Sequence, residues 1–258
     1  MVAITTATIP TTPIVNAGLL YVNDLTLSYT TTTTITLSQG AARDSTDTND
    51  IILSAPVVID IEKSGPGGID VGITDYSTDY AVYAIADSTG YNQPSGIISL
   101  SATKPMLPGG YDMYRRIGWI VTGASLPLHI LKFYQYGTDE TRVYYYDIGI
   151  DTLNFVLIGG VATTFTEVTL EPIVPQIETK VIFRAEYTQA NTINSAEFLP
   201  FGATSTIGMI RISAGAVSTQ WQTIEIPCKL DDTTPAIKYK VGTSDSLNLY
   251  VAGYRDYL

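Results

Sequence analysis

His129 and Cys228, the single histidine and the single cysteine of the chain, are the residues best suited to nucleophilic catalysis. A serine or cysteine nucleophile normally transfers its proton to a histidine held nearby. His129 lies in the apolar, strand-like segment Leu-Pro-Leu-His-Ile-Leu, and a lone histidine in a strand is far more often structural than catalytic. Cys228 follows Pro227 at the end of another strand-like segment. We therefore predict structural roles for both, with Cys228 a buried small hydrophobic residue.

Paired carboxylates could instead supply the acid and the base of glycoside hydrolysis. The candidates recur in the second half of the chain: Glu167, Glu171, Glu178, Glu186, Asp231 and Asp232. With 25 acidic residues in the chain, spacing does not select a pair, and solvated strand faces and turns account for such residues. We predict no catalytic residues, and a polysaccharide depolymerase is the least favoured function.

The segment from Arg43 to Asp50 is rich enough in oxygen ligands to suggest Ca²⁺. It lacks the order of ligands, the glycine and the closing glutamate of an EF-hand, and Arg43 opposes a bound cation. A turn stabilised by its own Asp, Ser and Thr side chains is the simpler interpretation. We predict no metal site and no cofactor, and the sequence leaves open whether Asp44, Asp47 and Asp50 bind a cation.

Arg115 and Arg116 lie in the most unusual stretch of the chain, residues 105–118, which also contains two prolines and two adjacent glycines. Neighbouring residues of a pleated strand point to opposite faces, so one arginine is expected to face the body of the protein. Arginine among tyrosines and carboxylates favours bidentate ion pairs and ring stacking, often at subunit contacts. We predict a structural or interface role for both and for Tyr111 and Tyr114. One arginine should contact a carboxylate or backbone carbonyls at a lobe or subunit boundary.

The charge and composition exclude several classes of function. The net charge is −11, from 14 basic and 25 acidic residues, so the chain lacks the basic surface that nucleic acid requires. An anionic membrane surface is disfavoured for the same reason. No run of 18 apolar residues predicts a transmembrane helix, and the first residues lack the pattern of a signal peptide. We expect synthesis and folding in a cytoplasm.

Tyrosine is over-represented, at 18 residues against 6 phenylalanines and 2 tryptophans. Its apolar ring and polar hydroxyl suit half-buried sheet faces and wet interfaces. Ordinary sheet surface and a binding face are both consistent with this content. The candidate contacts for a glycan or a protein partner are Trp119, Trp221, Tyr144 and Tyr145.

Strand patterns dominate the chain, and no window shows a clear helical stripe. Short runs rich in Val, Ile, Thr, Tyr and Phe recur about every ten residues between turn residues, as in sandwiches and jelly rolls. The predicted strands are 19–29, 33–38, 50–53, 56–62, 79–86, 116–122, 128–136, 141–148, 153–158, 163–174, 177–187, 206–213, 220–228, 236–241 and 246–254. We predict an all-β fold of antiparallel, β-sandwich or jelly-roll-like lobes with almost no helix. The expected parts are an extended arm (1–18), a first lobe (19–108) and a second lobe (109–258).

Several segments, taken in order, resemble a module of tailed-phage virion structural proteins such as tail-fibre proteins. They are Gly40-Ala-Ala-Arg-Asp-Ser45, Gly67-Gly-Ile-Asp-Val-Gly72, Tyr80-Ala-Val-Tyr-Ala-Ile85, Lys104-Pro-Met-Leu-Pro-Gly-Gly-Tyr111, Tyr114-Arg-Arg-Ile-Gly118 and Phe133-Tyr-Gln-Tyr-Gly137. Ala84 stands where the family has an aromatic residue. The closing segment Gly253-Tyr-Arg-Asp256 matches the family only loosely.

The resemblance implies a virion structural protein that is assembled in the host cytoplasm and located in the virion, as a free-standing subunit of the capsid or tail. Its partners would be itself, with a trimer as the expected oligomer, other virion proteins and a host-surface glycan, but neither nucleic acid nor a membrane interior. A carbohydrate-binding receptor-recognition module is the alternative. The resemblance implies no enzymatic activity.

Overall fold

A computed structural model describes residues 21–137, 141–147, 154–190, 194–204, 209–213, 217–231 and 234–258. The predicted arm over residues 1–18 lies outside the described residues. Within the described ranges the chain forms strands and no helix. The strands are β1 (Val22–Asp24), β2 (Leu27–Tyr29), β3 (Thr34–Leu37), β4 (Gly40–Arg43), β5 (Asp50–Leu53), β6 (Val57–Asp60), β7 (Asp79–Ala86), β8 (Ser95–Ser99), β9 (Met113–Val121), β10 (Phe133–Gly137), β11 (Thr141–Tyr146), β12 (Phe155–Gly160), β13 (Thr166–Thr169), β14 (Thr179–Gln189), β15 (Ala196–Pro200), β16 (Ile210–Ile212), β17 (Ser218–Asp231), β18 (Thr234–Lys240) and β19 (Ser246–Tyr257).

Three small sheets form the first half of the described chain. Their strand orders are β1-β4-β5, β2-β3-β6 and β8-β7-β9. In the third sheet β7 buries both of its faces, which explains why its sequence is apolar at nearly every position. The segment after β8 covers one of these faces, where Leu107 and Tyr111 pack against the cluster that contains Trp119.

The second half forms a curled ten-stranded sheet with the order β10-β11-β19-β14-β17-β18-β15-β16. In addition, β12 pairs with β19 and β13 pairs with β18. The long strand β17 joins two parts of this sheet, since residues 218–228 pair with β14 and residues 229–231 pair with β18. All pairings between these strands are antiparallel, as in a sandwich-like all-β fold. The predicted all-β, antiparallel class is therefore confirmed, while jelly-roll connectivity stays a prediction.

The hydrophobic core contains residues from both halves of the chain. Leu25 and Ile35 from the first half belong to the same buried cluster as Phe183 and Leu249 from the second. The predicted lobe boundary at residue 108 lies just before β9, which hydrogen-bonds to β7. Hydrogen bonding and core packing both cross this boundary, and the division into lobes stays a prediction.

Arg142 stabilises a break in the first predicted strand. Asp24 and Leu25 have φ values of 57° and 52°, a left-handed conformation that is unfavourable for a residue as bulky as leucine. The buried guanidinium of Arg142 donates hydrogen bonds to the carbonyl oxygens of both residues, with 2.6 Å between Nη1 and the oxygen of Leu25. This strained corner separates β1 from β2 and is held by a residue more than a hundred positions away.

Candidate functional site: the outer face of the ten-stranded sheet

Arg116 has the carboxylate partner that the sequence predicts for one of the two arginines. Its Nη1 lies 2.9 and 2.8 Å from the two carboxylate oxygens of Asp256, and its Nη2 donates to the carbonyl oxygen of Tyr257 at 3.2 Å. Asp256 is fully buried. The ion pair joins β9 to β19, and the guanidinium of Arg116 also lies 5.4 Å from the centre of the Trp119 ring. Arg116 thus has a structural role, and its interface role stays a prediction.

Two of the other three predicted residues of this stretch lie around a cavity of about 270 Å³ that Arg116 also lines. Arg115 and Tyr114 line it together with Ser45 and Tyr83. Burial lowers the pKa of Arg115, and the neighbouring charge of Arg116 adds to that effect. Tyr111 lies outside the cavity lining, and its hydroxyl donates to the carbonyl oxygen of Gln93 at 2.8 Å.

Trp119 and Tyr144, two of the four predicted contact residues, are buried, each with only 1 % of its surface exposed. Trp119 of β9 packs with Tyr83 of β7 in one buried hydrophobic cluster. Tyr144 stacks on Tyr254 with ring centres 4.8 Å apart, and its hydroxyl accepts a hydrogen bond from Gln135 Nε2 at 2.6 Å. The prediction that they contact a glycan or partner is therefore corrected, because both side chains lie in the core.

Tyr145 and Trp221, the other two predicted contact residues, are exposed and lie on the same face of the ten-stranded sheet. Across the four strands β11, β19, β14 and β17, one row of directly paired residues runs from Tyr145 through Gly253 and Ile182 to Glu225. Directly paired residues share a face, and so do residues four apart in a strand. Trp221, four residues before Glu225, therefore shares the face of Tyr145. We call this face the outer face.

Three exposed tyrosines form one end of the outer face, and we call them the tyrosine cluster: Tyr134, Tyr136 and Tyr145. Their exposed fractions are 47 %, 58 % and 40 %. The ring of Tyr136 lies 6.4 Å from that of Tyr134 and 6.0 Å from that of Tyr145. Tyr134 and Tyr136 are on β10, the first strand in the order of the sheet.

Charged groups around the tyrosine cluster are paired with each other. The Nζ atom of Lys132 lies 2.5 Å from a carboxylate oxygen of Asp147 and 5.5 Å from the ring centre of Tyr134. The hydroxyl of Tyr134 donates to Asp147 at 3.2 Å. These contacts lower the pKa of Asp147, first through the hydrogen bond from Lys132. The cluster is thus a nearly neutral aromatic patch on an acidic protein.

The other end of the outer face is built around Trp221, which is 42 % exposed. The centre of its ring lies 5.4 Å from the ring centre of Tyr250 on β19. The ring centre of Phe155, on the neighbouring strand β12, lies 3.9 Å from that of Tyr250. The guanidinium carbon of Arg184 lies 4.3 Å from the centre of the Trp221 ring. We call these four residues the tryptophan group.

The oxygen-rich turn after β4 uses its carboxylates internally. Asp44 is buried and accepts hydrogen bonds from the backbone N–H groups of Thr48 and Asn49 at 2.8 and 3.0 Å. Burial raises the pKa of Asp44, but these hydrogen bonds and that of Thr46 outweigh it, so the pKa is lowered. Arg43 contacts Asp50 at 2.7 Å. This is the side-chain-stabilised turn that the sequence predicts.

Neither His129 nor Cys228 is part of a nucleophilic site in the described structure. The Nδ1 atom of His129 lies 2.9 Å from the carbonyl oxygen of Pro127. Cys228 is buried, as predicted, and burial raises its pKa to about 12. A thiol with such a pKa is a poor nucleophile.

The described ranges hold no cluster of three metal-ligating side chains. They also hold no helix long and apolar enough to cross a membrane. Comparison of the chain with family models, with curated proteins and with solved structures finds no match.

Sequence reasoning missed four residues of the outer face: Tyr134, Tyr136, Arg184 and Tyr250. The alternation of Tyr134 and Tyr136 in a strand with a polar residue between them was a usable signal for a shared face. Arg184 and Tyr250 gave no such signal, because their contact with Trp221 depends on the pairing of three strands.

Proposed function

We propose that this chain is a non-enzymatic structural protein of a bacteriophage virion that self-associates through the tyrosine cluster. Its resemblance to phage virion proteins supports the class, and the exposed cluster of Tyr134, Tyr136 and Tyr145 carries the proposal of self-association. Tyrosine is enriched at protein interfaces, where its ring buries area and its hydroxyl stays hydrogen-bonded. A contiguous aromatic patch of this kind is typical of interaction sites.

A second copy of the chain can meet the tyrosine cluster because the charges beside it are paired. Two molecules with a net charge of −11 repel each other over most of their surfaces. This repulsion is reduced at the tyrosine cluster, since Lys132 neutralises Asp147 beside it. Nearby on the same face, Arg255 contacts Glu225 at 2.5 Å. Assembly of copies through this patch is the subunit contact of a virion particle, with a trimer as the expected oligomer.

Sedimentation velocity of the full chain tests this proposal. The wild-type protein should sediment as an oligomer at micromolar concentration, and Tyr136→Ser should shift it towards the monomer. Tyr91→Ser is the matched control, because Tyr91 is 90 % exposed but lies outside the tyrosine cluster. A monomeric wild-type protein, or equal effects of the two substitutions, would contradict the proposal.

Carbohydrate recognition is the second candidate function, and the tryptophan group favours it. An exposed tryptophan ring can stack against the C–H face of a sugar, and Trp221, whose ring centre lies 5.4 Å from that of the buried Tyr250, exposes such a ring on the outer face. This candidate does not compete for the same residues as self-association, because the two aromatic groups lie at different ends of the face.

A further inference from the structure

Trp221 presents an exposed aromatic ring on the outer face, where it packs on the buried ring of Tyr250 across the intervening strand β14. Three strand spacings and four residues separate Trp221 from Tyr145, which corresponds to about 20 Å. The tryptophan group is therefore a surface separate from the tyrosine cluster. A ligand the size of one or two sugar rings could contact it without touching the cluster.

Arg184 places a positive charge beside the Trp221 ring, and the carboxylate of Glu186 lies two residues away on the same face of β14. Arg184 lies on β14 between Thr223 of β17 and Tyr250 of β19, and its side chain is exposed. Within the described ranges Arg184 forms no ion pair, and its contact is with the ring of Trp221. By contrast, Arg255 of the same face is paired with Glu225. The guanidinium of Arg184 can therefore meet an incoming anion without first breaking an ion pair.

Hydrogen-bonding groups adjoin Arg184 and have fixed orientations. Glu186 accepts a hydrogen bond from Asn248 Nδ2 at 2.7 Å, and the Oδ1 atom of Asn248 accepts one from the backbone N–H of Gly159 at 2.6 Å. A carboxylate and an amide held in this way can bind sugar hydroxyls without much loss of side-chain entropy.

We infer that the tryptophan group is a binding site for a carboxylate-bearing sugar, such as a hexuronate residue of a polysaccharide. Trp221, supported from below by the buried Tyr250, contacts the C–H face of the ring, Arg184 binds the carboxylate, and Glu186 accepts from hydroxyl groups. A planar guanidinium matches a carboxylate with two parallel hydrogen bonds. A neutral sugar would contact the Trp221 ring but would not use the charge of Arg184. This inference names the ligand of the second candidate function and is independent of self-association.

Tryptophan fluorescence can report on this site alone. Trp119 is buried, so an added ligand that changes the emission acts on Trp221. The probes are tri-galacturonate and its methyl ester, which differ in charge but not in ring structure. We expect tri-galacturonate to change the emission saturably and the ester to bind on the order of tenfold more weakly, because a hydrogen bond to a charged group is lost. Calorimetric titration checks the same affinities without a fluorescent signal.

Arg184→Gln should weaken tri-galacturonate binding on the order of tenfold, down to the affinity of the ester. Arg211→Gln is the matched control, since it removes the same charge from another part of the sheet while Lys240 stays 2.7 Å from Glu197. Equal affinity for acid and ester, an unchanged affinity in Arg184→Gln, or no binding of either probe would overturn the inference. Titration of Tyr136→Ser separates the two proposals, because a protein that no longer self-associates should still bind tri-galacturonate.

Discussion

Arg116 and Asp256, separated by 140 residues in the chain, form a buried ion pair that joins β9 to β19. The arginine belongs to the Pro105–Gly118 stretch and the aspartate to the last strand of the ten-stranded sheet. Breaking a buried pair by removing one partner leaves an uncompensated charge in the core. Removing either partner should therefore weaken the packing of the first half of the chain against the second.

Asp256→Asn should lower the free energy of unfolding by about 3–5 kcal/mol, because the Arg116 guanidinium loses its charged partner in a buried site. Urea unfolding followed by circular dichroism measures this. Asp147→Asn is the control, because the Lys132–Asp147 pair is about half exposed and exposed pairs contribute little. A similar decrease in the free energy of unfolding in the two variants would show that the buried pair matters no more for stability than the exposed pair.

Gly118→Ala should destabilise the protein by about 1–3 kcal/mol through overpacking. A Cβ atom at this position would collide with the hydroxyl of Tyr144 and with Leu27. Combining it with Tyr144→Phe should recover part of the loss, since the phenylalanine lacks the colliding oxygen. Thermal unfolding of the single and double variants checks the coupling. Gly109→Ala, where a Cβ atom meets nothing within 4 Å, should be nearly neutral, and strictly additive effects at positions 118 and 144 would argue against the contact.

Asp79 should make stability depend on pH in the weakly acidic range. Burial raises the pKa of its carboxyl from 3.8 to about 6, so the fold favours the protonated form. The protonated carboxyl makes its full contribution to the free energy of unfolding below about pH 4, and this contribution is lost as the pH rises through 6. Asp79→Asn should therefore be more stable than wild type at pH 7.5, by up to about 2–3 kcal/mol, and equal to it near pH 4. Urea unfolding at both pH values checks this, and a difference that does not change with pH would refute it.

Self-association through the tyrosine cluster should strengthen with salt. Added ions screen the repulsion between two copies of net charge −11, while the neutral aromatic contact is little affected. Sedimentation equilibrium at about 20 mM and 300 mM NaCl should show a lower dissociation constant at the higher concentration. A weaker association in salt would mean that complementary charges, and not the tyrosines, hold the copies together.

The strands were predictable where local pattern alone determines them. The ranges 50–53 and 79–86 match β5 and β7, because β-branched and aromatic residues are bounded there by turn residues. The range 19–29 contains two strands, since the corner at Asp24 and Leu25 depends on the distant Arg142. The strand β8 was missed because Gly96 lies inside it, where a Cβ atom would collide with Ile59. Neither the contact of Arg142 with the corner nor that of Gly96 with Ile59 can be recognised from the local sequence pattern.

The candidate site was predictable in part, and the limit was the direction of the side chains. Tyr144, Tyr145 and Tyr146 are consecutive in β11, so the sequence does not indicate which of them faces outward. Trp119 follows an irregularity in the pairing of β7 with β9, between Val82 and Tyr83. It also lies in a sheet buried on both faces, for which alternation gives no signal. Side-chain direction in these strands follows from their packing partners.

Mass spectrometry of virus particles purified from cells that express this chain tests the proposed virion role most directly. The account predicts that peptides of the chain occur in the intact particle in several copies, and that Tyr136→Ser lowers its incorporation while Tyr91→Ser does not. Particles that lack the chain, while infected cells contain it, would contradict a structural role in the virion.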